Sequence, residues 1–286
     1  MSSEAVPPGS WVTLVVEVAE ADVDVVSGLL WAGGAAGIEE RPTLPGRCQL
    51  RVGFRAEDAG TMIEPLAEFG TPRVEPVAAE AGLDAWREFA RPWRAGRRLV
   101  VVPAWMDPPS WCGPDDLAVS IDPGHAFGSG SHATTRLCLA LIERALRPGD
   151  TVADVGCGSG VLAIAALRLG AARAVGVDIE PEAVTVSATN AARAGVAERM
   201  DVLLGSVEAL AGSRFDLVVA NIIAVDLRPL VTELCAAVAD GGALILSGLL
   251  TEQTDAVVER AAGAGFGLVE RDLDEDWQAL LLRRAR

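Results

Sequence analysis

Apolar and polar positions alternate along Trp11–Val18 and Gln49–Phe54, which reads as two half-buried strands. Around them the spacing predicts helices over Ala21–Trp31 and Glu57–Phe69 and strands over Gly37–Glu40 and Arg73–Ala78. Gly33-Gly34 and Pro45-Gly46 supply turns. This β-α-β-β-α-β order is the ferredoxin-like arrangement, a small sheet with both helices on one face. It holds no catalytic constellation, so residues 1–80 are expected to bind or dock a partner.

Residues 81–115 break the pattern. Asp84–Ala90 reads as a short amphipathic helix with Trp86 and Phe89 on one side. Arg91-Pro92-Trp93-Arg94 and Gly96-Arg97-Arg98 follow, then a strand over Leu99–Val102. Pro103, Pro108, Pro109 and Pro114 mark a rigid connection. The arginines read either as a recognition patch or as charges that neutralise acidic neighbours, and Trp86 and Trp93 as linker packing.

From residue 116 short apolar strands alternate with helices. Strands are expected at Leu117–Ile121, Thr151–Val155, Ala174–Val177, Asp201–Leu204, Leu217–Ala220, Ala243–Leu246, Leu268–Arg271 and Ala279–Leu282. Helices are expected at Thr134–Ala145, Leu162–Leu169, Pro181–Ala194, Asp226–Ala239 and Glu252–Ala264. Such alternation implies a parallel sheet covered on both faces.

The chemistry concentrates after the strand at 151–155, where Asp154-Val155-Gly156-Cys157-Gly158-Ser159-Gly160 leads into a helix. Gly156, Gly158 and Gly160 let the backbone turn tightly and approach a ligand at a helix N-terminus. Eighteen residues past Gly160, Asp178 ends the next apolar run and is placed to accept hydrogen bonds from a ribose. A dinucleotide fingerprint needs its third glycine at 161, which is Val161. The observed spacing instead resembles the first motif of Rossmann-like S-adenosylmethionine methyltransferases, in which the leading acid, here Asp154, faces the methionine end of the cofactor.

Composition narrows the picture further. The chain has 40 acidic residues against 24 basic ones, all of them arginine, for a net charge of −16. Such a charge repels nucleic-acid phosphates and attracts a basic partner, or simply keeps the chain soluble. Five scattered cysteines without a C-x-x-C pair suit a reducing cytoplasm and argue against a disulfide frame or zinc site. His125 and His132 are the only histidines, so no histidine-based metal centre is expected. No uncharged apolar run reaches the length that spans a bilayer, and Met1–Gly9 shows no secretion pattern.

Further pieces fit the same site. Phe127–Thr135 is a glycine-rich loop ending in Thr134 and Thr135, either of which could cap the helix that follows. Gly205-Ser206-Val207-Glu208 follows a strand where such folds meet adenine, and Asn221-Ile222-Ile223-Ala224 ends another. Read in order, D-P-G-x-A-F-G-x-G-x-H-x-T-T from Asp122, D-x-G-C-G-S-G from Asp154 and N-I-I-A from Asn221 resemble the bacterial ribosomal protein L11 methyltransferase family. Ser129 and Ser131 stand where that family commonly has threonine.

The resemblance implies a ferredoxin-like substrate-recognition domain (1–80), a linker (81–115) and a seven-stranded Rossmann-like catalytic domain (116–286). It implies methylation of lysine side chains or the N-terminal amine of ribosomal protein L11, a basic protein met free of the ribosome. The alternatives are a lysine methyltransferase of another protein and a small-molecule amine methyltransferase. Thr135, Asp154, Gly156, Gly158, Gly160, Asp178, Ser206 and Asn221 are the expected S-adenosylmethionine contacts. Asn221 and the Ile222 carbonyl are the expected acceptors for the incoming amine, although Asn221 could also simply cap a turn. His132 is either a base or a group that orients its loop, and Cys157 is expected to pack rather than react. The expectation is a cytoplasmic monomer with no metal, membrane or nucleic-acid partner.

Overall fold

The computed structural model describes residues 11–35, 37–76, 90–124 and 131–284. Residues 84–89 of the expected linker helix, 77–78 of the fourth strand and 127–130 of the glycine-rich loop lie outside them. The chain divides into two compact units, Met1–Phe89 and Ala90–Arg286. Among the described residues no helix is long and apolar enough to cross a membrane.

In the first unit, β1 (Trp11–Ala19), α1 (Val23–Ala32), β2 (Gly37–Pro42), β3 (Arg47–Arg55) and β4 (Arg73–Pro76) build an antiparallel sheet of order β2-β3-β1-β4. Alternation does the work: Leu14, Val16 and Val18 from β1 and Leu50, Val52 and Phe54 from β3 bury on one face against Val26 and Leu30 of α1. The expected helix over Glu57–Phe69 is broken. It consists of α2 (Ala56–Ala59), a 3-10 turn (Gly60–Met62) and α3 (Ile63–Leu66). Gly60 weakens the middle, and Pro65 has no N–H with which to continue the ladder.

The second unit opens with β5 (Trp93–Ala95), β6 (Leu99–Pro103) and β7 (Leu117–Ile121), a three-stranded sheet of order β5-β6-β7. Residues 93–103 therefore form strands of this unit rather than only a connection, and Ala95, Leu99 and Val101 bury in its core. Leu117–Ile121 likewise belongs here and not to the main sheet. The arginines of this region make local contacts. Arg94 binds Asp116 through two contacts of 2.5 and 2.6 Å and lies 5.3 Å from the centre of the Trp111 ring. That pair, with Gly113 N–H, holds the Asp116 carboxyl down at about 2.

The main sheet carries β8 (Thr151–Val155), β9 (Arg173–Asp178), β10 (Met200–Leu204), β11 (Phe215–Asn221), β12 (Val238–Leu250), β13 (Phe266–Asp274) and β14 (Trp277–Arg284). Their order is β10-β9-β8-β11-β12-β14-β13. The intervening helices are α4 (Ala133–Ala145), α5 (Val161–Leu169), α6 (Pro181–Arg193), α7 (Ala224–Ala237) and α8 (Thr254–Gly263). Successive strand residues feed opposite cores. Val152, Leu217, Val219 and Ile245 meet α4 and α5, while Ala153, Val218, Ala220 and Leu246 meet α7 and α8.

One strand runs against the expected parallel sheet. β14 is antiparallel to both neighbours, because only Glu275 and Asp276 separate it from β13. A two-residue link makes a hairpin; a parallel return needs a crossover. The order change on either side of β8 leaves a crevice at the strand ends, where ligands bind in such sheets.

The turn between β5 and β6 is tied to α4. The Glu143 carboxylate accepts Arg97 N–H at 2.5 Å and Arg98 N–H at 3.0 Å. Replacing Glu143 with alanine is expected to lower stability by about 1–3 kcal/mol, the range for charge-assisted hydrogen bonds. In urea unfolding this appears as a lower midpoint at unchanged slope; an unmoved midpoint rejects the assignment.

Candidate active site

β8 ends at Val155 and the chain turns through Gly156–Gly160 into α5. Gly156 N–H and Cys157 N–H donate to the Val177 carbonyl at 2.9 and 3.0 Å, and Gly158 N–H donates to Asp178 Oδ2 at 2.8 Å. The other Asp178 oxygen accepts Glu180 N–H at 3.0 Å. Among the described residues each oxygen accepts one hydrogen bond, so lone pairs remain on this half-buried carboxylate. At Gly156 φ is +72°, and a Cβ would lie 2.9 Å from Ile222 Cγ1. The turn thus needs glycine for its conformation and for close approach.

Asp154 points to the α4–α5 side of the sheet and is fully buried, with 0% exposure. Its Oδ2 accepts Ala163 N–H at 3.1 Å, satisfying a donor in the first turn of α5. Among the described residues its Oδ1 has no hydrogen-bond partner. Burial pushes the carboxyl up to about 7, with a smaller upward push from the Asp178 charge set against the Ala163 hydrogen bond. Cys157, in the same turn, is buried with Sγ 3.9 Å from Ser187 Oγ, and burial pushes its thiol far up. It packs.

Asn221, at the end of β11, donates from Nδ2 to Thr135 Oγ1 at 3.4 Å, so these two expected residues meet across 86 positions of sequence. Thr135, Gly156, Cys157, Gly158, Val161, Leu162 and Asn221 line one cleft. A roomier cleft of about 630 Å³ lies in the first unit, between Glu20, Glu40 and the Pro42–Arg47 turn. It contains none of the motif residues, and chemistry rather than size selects the smaller one.

Neither threonine caps α4. His132 is the N-cap: its Nδ1 accepts Thr134 N–H at 3.3 Å and lies 2.9 Å from Thr134 Oγ1. The helix starts one residue earlier than expected, which places Thr134 and Thr135 inside its buried first turn. The His132 ring also meets Trp277 edge-on, with centroids 5.2 Å apart. Ser206 opens the 3-10 turn Val207–Leu210, and Gly205 N–H donates to the Asp178 carbonyl at 2.9 Å, so this loop abuts Asp178.

Two positions escaped the sequence reading. Gly248 sits where β12 slips register against β14 between Leu246 and Leu249. Its φ is +84°, and a Cβ there would lie 2.2 Å from the Ile222 carbonyl oxygen. The missing side chain lets the two backbones pack that closely. A glycine inside the apolar run Leu244–Leu250 is the signal that marks such a bulge. Ile179, directly after Asp178, is 70% exposed and offers apolar surface at the crevice.

Comparison with known proteins agrees with this geometry. The family model described as Ribosomal protein L11 methyltransferase (PrmA) matches residues 56–285. A protein named ribosomal protein L11 methyltransferase from Pelotomaculum thermopropionicum is 50% identical over 207 residues, 72% of this chain and 67% of that protein. One of the same name from Chloroflexus aurantiacus is 34% identical over 324 residues, 96% of this chain and 98% of that protein. The crystal structure of a ribosomal protein L11 methylase from Lactobacillus delbrueckii subsp. bulgaricus matches with a TM-score of 0.64 at 34% identity. It covers 69% of this chain and 100% of that one. The glycine turn, Asp178 and Asn221 all fall inside the matched span, and the chain belongs to the ribosomal protein L11 methyltransferase family.

Proposed function

We propose that this enzyme methylates amino groups of ribosomal protein L11, lysine side chains or the N-terminal amine, with S-adenosylmethionine as donor. The observation that carries the site assignment is the buried Oδ1 of Asp154, without a hydrogen-bond partner among the described residues, beside the glycine-rich turn. An uncompensated buried carboxylate calls for a cation, and the methionine end of this donor carries one. When bound, S-adenosylmethionine supplies an electrophilic methyl group on a sulfonium.

The chain's own residues do the rest. In this reading Asp178 holds the ribose through its remaining lone pairs, Ile179 and the Ser206 loop flank the adenine, and the Gly156–Gly160 turn passes beneath the chain between. Asn221 has Nδ2 committed to Thr135, so Oδ1 is the atom it presents. That oxygen and the Ile222 carbonyl accept the N–H groups of the amine and aim its lone pair. Alignment of this kind is worth roughly 7–11 kcal/mol in well-oriented reactions. His132 holds the first turn of α4, and through it Thr135. We assign residues 1–80 to docking the protein substrate, and the cytoplasm as the place of action, where the free cysteines stay reduced.

The test is methyl transfer from labelled S-adenosylmethionine to purified, ribosome-free L11. Labelling of L11 is expected; turnover of free amines without labelling of L11 would replace this reading. Replacing Asn221 with alanine is expected to lower kcat by about 10²–10³-fold, the usual cost of losing an aimed polar group. A kcat unchanged in that variant removes Asn221 from the mechanism.

Asp154 generates a pH prediction with a defined sign. Its carboxyl sits near 7 in the fold against 3.8 for the ordinary group. The folded state therefore holds a proton that the unfolded chain has released, and stability falls as pH rises from about 4 to about 7. Asp154→Asn removes that penalty, so at pH 8 the variant is expected to be more stable by on the order of 2–4 kcal/mol. It is also expected to bind S-adenosylhomocysteine more weakly. Paired thermal melts and calorimetry across pH check both, and parallel pH profiles for the two proteins would contradict the assignment.

A further inference from the structure

We propose that Asn190, on α6, is a positioning residue that locks the glycine turn and the turn following β7 into one body and thereby sets cofactor affinity. The proposal rests on the S-adenosylmethionine site described above. Asn190 is 1% exposed and its carboxamide is fully engaged. Nδ2 donates to the Asp122 carbonyl at 2.8 Å and the Ser159 carbonyl at 2.9 Å. Oδ1 accepts Asp122 N–H at 3.1 Å and Arg193 Nη1 at 3.2 Å. Two donors and two acceptors exhaust what a primary amide offers.

The partners give the arrangement its meaning. Ser159 stands between Gly158 and Gly160 in the turn clasped to β9. Asp122 follows β7, which belongs to the other sheet, and opens the Asp122-Pro123-Gly124 turn that leads toward His132 and Thr135. Asp122 Oδ1 accepts Gly124 N–H at 3.2 Å, which keeps that turn closed on itself. One side chain from a third element thus spans two strand ends that share no sheet. Ser187, one helical turn earlier on α6, lies on the same side, against Cys157 Sγ at 3.9 Å.

Neither a carboxylate nor an apolar side chain fits this role. A carboxylate at 190 keeps the acceptors for Asp122 N–H and Arg193 but turns an oxygen toward two carbonyl oxygens. Alanine leaves all three backbone groups without their partner. The turns then move independently, and cofactor binding has to order them, which weakens the measured affinity.

The experiment measures the Kd for S-adenosylhomocysteine by calorimetry on the full chain, well below each variant's melting temperature, for wild type, Asn190→Ala and Asn190→Asp. The expected result is at least a tenfold weaker Kd in the alanine variant. KM for S-adenosylmethionine should rise with it, and KM for the protein substrate should stay within about twofold. For Asn190→Asp the deficit relative to wild type should grow with pH, because only the protonated carboxyl retains a donor. That pH dependence does not follow from a general loss of packing, and it keeps the test alive if the alanine variant fails to fold. A folded variant whose Kd stays within twofold of wild type, or a pH-independent ratio for Asn190→Asp, overturns the proposal. Failure of wild type itself to bind S-adenosylhomocysteine instead overturns the cofactor reading.

Discussion

The clasp between the glycine turn and the end of β9 is the constraint on which the rest of the site depends. Gly156 N–H and Cys157 N–H end on the Val177 carbonyl and Gly158 N–H on Asp178, so the turn cannot drift from the end of that strand. Because the turn is fixed, α5 begins at Val161 and presents Ala163 N–H to Asp154. Because Gly156 has no side chain, Ile222 can close over it, which sets Asn221 at the cleft. Each such hydrogen bond contributes only about 1 kcal/mol net, and their value lies in removing alternatives.

How much of this was legible depended on whether the determinant was local. The β8-turn-α5 unit, Asp178 and Asn221 stood out in the sequence because apolar runs, glycines and an acid occur at fixed short spacings. Thr135 and Asn221 could be named singly, but their meeting is set by the packing of α4 on the sheet. The misses were of two kinds. Local chemistry was under-read where Pro65 broke the helix after Ala56 and His132 took the cap expected of a threonine. The β5–β6 hairpin across Gly96–Arg98 was a further local signal passed over. Long-range pairing was invisible where β14 entered between β12 and β13 and where the Gly248 backbone packed against Ile222.

Asp154 shows a conflict between folding and binding at a single atom. A buried carboxylate oxygen with no partner destabilises the fold by about 1–3 kcal/mol, and its elevated pKa is the same cost expressed in protons. The neighbouring Asp178 adds like charge rather than relieving it. Folding alone gives no reason to keep such a group, since an amide or apolar residue would serve the sheet better. In the binding role we propose for Asp154, a cationic ligand end reverses the balance: it satisfies the orphan oxygen and draws the proton away. The strain is removed only in the occupied site, so the affinity of that site is partly stored in the free protein.

The same logic extends to the amine. Arginines such as Arg94, Arg136 and Arg173 are held by Asp116, Asp274 and Asp201, and the chain as a whole remains at −16. A negative field draws a lysine ammonium in, yet it also favours the protonated form, which cannot attack a methyl group. At neutral pH, loss of the proton from a lysine with pKa about 10.4 costs about 4–5 kcal/mol before any help from the site. Long-range attraction therefore cannot be the catalytic device. What lowers the ammonium pKa is short-range: apolar walls such as Val161 and Leu162, and acceptors that carry partial rather than full charge. As the acceptors we propose, Asn221 and the Ile222 carbonyl meet that requirement where a carboxylate would fail it, because a full negative charge beside the nitrogen would hold the proton in place.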